Sequence, residues 1–132
     1  MPQRPSAVSL MVCDQVVFEH TTQKPYLLGV FTGMTADSFP TGRQKFDVFA
    51  ALTDGLGDVR ITLSVVMLES DEEIYSRTMV VRFSDPLQVV NLRFRVRQLS
   101  FEAPGAYLVS LMVDNTEIAA RRIRVHLAGE TE

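Results

Sequence analysis

Apolar and polar residues alternate along most of this chain in short runs broken by turn residues, with almost no three-to-four spacing. Successive side chains on a strand point to opposite faces, so each run reads as a strand with one packed and one solvated face. The sharpest example is 93–97, where Phe94 and Val96 interleave with Arg93, Arg95 and Arg97. The three arginines share one face and the apolar pair packs on the other.

Eight strands follow from this pattern: 8–19, 26–31, 46–53, 59–67, 74–83, 87–99, 107–113 and 117–127. Turn residues separate them. Pro25 cannot donate to a ladder, and Asp54-Gly55-Leu56-Gly57-Asp58 reads as a hairpin turn. The acidic loop 69–73, Ser84-Asp85-Pro86, Ala103-Pro104-Gly105 and the tight-turn pair Asp114-Asn115 complete the punctuation. The 46–53 run is ambiguous, since Phe46, Phe49 and Ala50 also fit a helical turn, but its length and neighbours favour a strand. The longest connection, 32–43, carries Met34 and Phe39 and is expected to fold back on the strands. The spacing predicts an all-β fold, a single antiparallel β-sandwich of immunoglobulin-like style with about eight strands. It forms one domain over 7–128, with flexible termini at 1–6 and 129–132.

A chain of 132 residues can bury one core without staples, and 46% hydrophobic with 22% charged residues suits a folded domain. The net charge of −3 gives no global pull towards nucleic acid or acidic membranes, although arginine gathers after Ser76 and acid before it. No run approaches the ~18 apolar residues of a membrane span. Cys13 is the single cysteine, which excludes an internal disulfide and points to a reducing compartment, hence a cytoplasmic location. A lipoprotein reading of the apolar stretch ending at Cys13 fails on three counts. The stretch 7–12 is shorter than a signal core, Ser9 interrupts it, and Val12 is too bulky for the cleavage position.

Pro104-Gly105-Ala106-Tyr107, followed by alternating apolar residues, a tight turn and a last strand, resembles the final hairpin of immunoglobulin-like folds. Such folds often use a tyrosine to tie the corner to nearby backbone, the part Tyr107 would take here. The whole chain resembles an uncharacterised family of small bacterial β-sandwich proteins. The matching pieces are Cys13-Asp14, Gly29-Val30-Phe31, Phe39-Pro40, the stretch 49–55 and the corner 104–107. This resemblance implies the fold and carries no activity.

No P-loop, nucleophile elbow, HExxH helix or dinucleotide fingerprint occurs. Gly55-Leu56-Gly57 lacks a third glycine and a following helix. His20 and His126 sit at strand ends outside any ligand spacing. Cys13 with His20 as nucleophile and base is weighed against a buried cysteine acting as a small hydrophobe, and the second is favoured. Asp54, Asp58 and the loop 69–73 offer calcium no nameable order of ligands, so a solvated acidic loop is preferred. No catalytic residue, metal ligand or cofactor is expected.

The arginine row, ~13–14 Å long at ~3.3 Å per residue, is the one surface with functional promise. It is either an outer face paired with neighbouring carboxylates or a docking surface for anionic groups of a partner. Nucleic acid is disfavoured, because there are only eight Phe, three Tyr and no Trp to stack on bases, and most fall on predicted core faces. The expected function is a non-catalytic binding or assembly module that engages an unknown protein partner or itself. Arg93, Arg95 and Arg97 are the candidate binding residues, and an open sheet edge is the route to self-association. The alternative is a small-ligand protein or an enzyme with its site at the 32–43 end, which predicts a concave apolar pocket with convergent polar groups.

Overall fold

The computed structural model describes residues 3–129. They form β1 (Ser6–Phe18), β2 (Pro25–Val30), β3 (Gly33–Ala36), β4 (Gln44–Thr53), β5 (Gly57–Met67), β6 (Glu72–Phe83), β7 (Val90–Leu99), β8 (Gly105–Val113) and β9 (Thr116–Leu127). Two sheets result, ordered β2-β1-β4-β7 and β3-β9-β8-β5-β6. Alternation accounts for their inner faces. Phe46, Val48 and Leu52 of β4 and Phe94 and Val96 of β7 share one core with Ile61, Leu63 and Val65 of β5 and Val109 and Leu111 of β8. Burying each such side chain stabilises the fold by roughly 1.5–3 kcal/mol. No helix among the described residues is long and apolar enough to cross a membrane.

Three sequence expectations need correction. Among the described residues there are nine strands where about eight were expected, because the 32–43 connection contains β3, and β3 runs parallel to β9 with Met34 opposite Val125. The pairing is therefore not wholly antiparallel. Met34 and Phe39, expected to fold back, pack on the core, and so does Phe31, whose ring lies edge-on to Phe46 at 6.0 Å. The segment 54–58 is not a hairpin turn, since β4 and β5 lie in different sheets and the segment carries the chain between them. Gly55 packs so closely there that a Cβ would sit 2.7 Å from Cγ of Phe83. Of the ends expected to be flexible, 1–2 and 130–132 lie outside the described residues. Gln3, by contrast, bridges Leu56, and Pro5 is buried.

The true two-residue turn is Asp114-Asn115, whose φ values of 51° and 62° match the type I′ hairpin that joins β8 to β9. The Tyr107 hydroxyl donates to the Ala103 carbonyl at 2.5 Å, which ties down the corner before β8. Burial along β4 runs unbroken from Phe46 to Leu52, including the outward-pointing Asp47, Phe49 and Ala51. A strand covered on both faces loses the alternation that identifies it, which explains its ambiguous sequence. Its outer cover is the β1–β2 hairpin.

Candidate functional site

β1 pairs with β4 as far as Cys13 opposite Asp47. Beyond that point it remains paired with β2 and crosses the outer face of β4. Val16, Phe18 and Leu27 thereby join Cys13, Phe49 and Ala51 in a second, smaller apolar cluster. Side chains fasten the crossing. Asp47, only 1% exposed, accepts a hydrogen bond from the Val16 N–H at 2.8 Å on Oδ2 and meets Nη2 of Arg97 at 2.9 Å on Oδ1. Nη1 of Arg97 donates to the Phe46 and Val96 carbonyls, each at 2.9 Å. Nη1 of Arg93 donates to the Val16 carbonyl at 3.2 Å, and its guanidinium lies 5.5 Å over the Phe18 ring. The Val16 N–H and carbonyl are thus both bonded by side chains, as buried backbone requires.

The expected alternation of the arginine row is present, with Phe94 and Val96 buried between its members. The structure does not bring the three together as free cations. Arg93 and Arg97 are half-buried and engaged in the crossing, whereas Arg95 is exposed and its guanidinium has no partner among the described residues. Burial, followed by the nearby Asp47, raises the Cys13 thiol above its ordinary pKa.

The other face of the hairpin is apolar and uncovered. Tyr26, Leu28 and Val30 are 54%, 51% and 47% exposed, and Val17 stands beside Tyr26. All three lie on β2, an edge strand without a single charged residue. Sequence reasoning identified the strand but missed this surface. The signal was available in the even-numbered alternation of Tyr26, Leu28 and Val30. Leu87 and Val89 are exposed as well, but on the loop between β6 and β7 rather than on an open strand edge.

A second surface is a trough of about 600 Å³ on the outer face of the five-stranded sheet. Ser76, Ser64 and Ser110 stand in register across three strands and form a floor of small residues. Buried Ser64 donates its hydroxyl to Glu73 at 2.9 Å, and buried Ser110 donates to Glu117 at 3.1 Å. The acidic loop thus presents Asp71 and Glu73 to this trough, and no cluster of three or more His, Cys, Asp or Glu suited to a metal occurs among the described residues. At the 32–43 end lies a polar depression of about 330 Å³ beside Thr35, Asp37 and Ser38. A cleft of about 290 Å³ opens between β1 and β9, next to Phe31 and to Arg121, whose Nε donates to the Leu10 carbonyl at 2.8 Å.

Comparison with solved structures finds the fold elsewhere. The alkylpurine DNA glycosylase AlkC of Pseudomonas fluorescens, solved bound to DNA containing an abasic site analog, is similar with a TM-score of 0.53 at 9% identity. The match covers 92% of this chain and 30% of the glycosylase chain, so this chain spans less than a third of that protein. The C-terminal domain of wzt is similar with a TM-score of 0.49 at 12% identity, over 96% of this chain and 75% of that one. At such identities the likeness concerns the fold alone. No curated protein matches the chain. Residues 8–126, nearly its whole length, match the family of unknown function DUF6941, and the protein belongs to that family.

Proposed function

We propose that the protein is a non-catalytic binding or assembly module, an immunoglobulin-like sandwich of the cytoplasm that works through the solvent face of its β1–β2 hairpin. The observation that carries this reading is an uncharged edge strand exposing Tyr26, Leu28 and Val30 at alternate positions. Pro25 and Gly29, at φ 70°, interrupt the edge for backbone pairing, but its apolar side chains stay uncovered, and contiguous exposed apolar surface marks sites of interaction. The bonds from Asp47 and Arg93 hold the hairpin in place before any partner arrives, so little freedom is lost on binding. A single buried free thiol suits a reducing compartment. Within this reading the arginine row contributes only Arg95, as a rim contact. The likeness to a DNA-bound glycosylase adds no nucleic-acid reading, because Arg93 and Arg97 are already engaged.

One observation favours a second reading. Glu73 and Glu117 are anchored by buried serine hydroxyls at the trough, an arrangement that suits a small cationic or polyhydroxylated ligand. Hydrogen–deuterium exchange on the complex with a captured partner separates the two. Protection over 25–30 supports the hairpin face, and protection over Thr62, Ser64 and Ser110 moves the function to the trough. Protection at neither overturns both.

A further inference from the structure

We infer that the cleft between β1 and β9 is a binding site for a small amphipathic acid. Its carboxylate would meet Arg121 and Arg122, and its short apolar tail would enter the seam between the sheets. The site lies where the chain changes sheet. β2 leaves β1 at Val30 opposite Cys13, and β3 joins β9 at Gly33 opposite Arg124. The connecting residues are fixed on both sides. The Phe31 N–H donates to the Val12 carbonyl, and the Thr32 carbonyl accepts from the Arg124 N–H, each at 3.0 Å. β2 pairs with β1 only from Cys13 onwards and β3 with β9 only from Arg124 onwards, so both strands are uncovered before the crossing. The opening between them is the cleft of about 290 Å³.

The lining divides by chemistry. Met11, Val12, Val30, Phe31 and Ile123 form an apolar wall. Val12 and Ile123 also belong to the main core, at 2% and 1% exposed, so the cleft reaches the seam between the sheets. Phe31 is held by its edge-on contact with Phe46, which preforms the wall. The polar groups are Thr32, Arg121 and Arg122, with no carboxylate among the lining residues. Arg121 donates from Nε to the Leu10 carbonyl, which anchors its guanidinium across the seam and leaves both Nη groups unbonded among the described residues. The Arg122 side chain has no ion pair or hydrogen bond among them either. Two uncompensated cations beside apolar surface favour an anion, because charge-assisted hydrogen bonds strengthen where water is excluded. The planar guanidinium fork matches a carboxylate, and an apolar tail supplies the contacts that an open apolar wall lacks. A volume at the lower end of the ~300–1,000 Å³ of ligand pockets limits that tail to a short chain. The site shares only Val30 with the hairpin face, so it stands or falls independently of that reading.

Titration of the isotope-labelled protein with octanoate, followed through amide chemical shifts, tests the site. Octanoate is expected to give saturable shifts at Phe31, Thr32 and Ile123. Octanol lacks the charge and acetate lacks the tail, and each is expected to bind at least about tenfold more weakly. Arg122→Gln, at an exposed and unpartnered position, keeps the fold and weakens octanoate about tenfold. Arg121→Gln weakens it as well, and a thermal melt of that variant reports separately on the lost bond to Leu10. Arg60→Gln, which removes the same charge from β5, leaves binding unchanged. Equal affinity for octanol, or octanoate affinity unchanged in both Arg121→Gln and Arg122→Gln, overturns the carboxylate site. Shifts confined to Tyr26 and Leu28 overturn its placement, and the absence of any saturable shift overturns the site altogether.

Discussion

The Asp47 carboxylate meets the Arg97 guanidinium at 2.9 Å beneath the β1–β2 hairpin, with Asp47 1% exposed and the Arg97 side chain 39%. Its second oxygen holds the Val16 N–H. Removing one member of a buried pair typically costs ~3–5 kcal/mol, and the exposure of Arg97 reduces that. Asp47→Ala is expected to lower stability by about 2–4 kcal/mol, and Asp47→Asn, which still accepts from Val16, by less. Urea denaturation followed by far-ultraviolet dichroism measures both. Equal stability of Asp47→Ala and the wild type would show that the crossing does not depend on this carboxylate.

The arginines separate by role. Arg95→Glu is expected to change stability by less than about 0.5 kcal/mol, as for an ordinary surface site. Arg97→Glu sets a second carboxylate against Asp47 and is expected to cost several times more. Thermal melts of the two variants give the comparison, and a severe loss in Arg95→Glu would contradict its placement as an unpartnered surface cation.

Gly55→Ala forces a Cβ to within 2.7 Å of Cγ of the Phe83 ring. Overpacking of this kind costs about 1–3 kcal/mol. The double variant Gly55→Ala with Phe83→Leu should recover part of the added strain, read from a double-mutant cycle.

Tyr107→Phe leaves the Ala103 carbonyl without its donor and is expected to cost about 1–2 kcal/mol. Burial raises the Tyr107 pKa above its ordinary 10.0. A group whose folded pKa is raised contributes stability that is complete below its unfolded pKa and is lost as pH rises through the folded value. The wild type should therefore lose stability above about pH 10 more steeply than Tyr107→Phe. Parallel pH profiles for the two would exclude this contribution.

Cys13 is buried, and its raised thiol pKa withholds the reactive thiolate. Labelling by a thiol reagent should be slow in the native protein and complete on unfolding, at a rate that tracks opening of the hairpin. Asp47→Ala, which loosens the crossing, should accelerate it. Rapid labelling of the native wild type would place Cys13 at the surface.

Part of this molecule is legible in the amino-acid sequence alone, and the reason is local. The faces of Phe94, Val96 and the three arginines follow from period two along a single strand. The Asp114-Asn115 turn and the Tyr107 tie need only a few neighbouring residues. The Asp54–Asp58 segment fails as a hairpin because glycine and aspartate signal a change of direction without saying which sheet the next strand enters. β3 escapes a reading by pattern because four residues within a polar connection carry too few alternations to register.

Local patterning thus specifies eight of the strands, their inner faces and the neutrality of β2, since these depend on residues two positions apart. The partition into two sheets, the crossing that buries Phe49 and the use of Arg93 and Arg97 as fasteners arise only in the folded chain. So do the choice of which strand edge is left open and the meeting of serines on the trough floor. Those features join groups such as Val16 and Asp47, 31 positions apart, and Arg93 and Val16, 77 apart. Contacts over such separations depend on how whole strands pair and cross, which no local pattern of apolar and polar residues encodes.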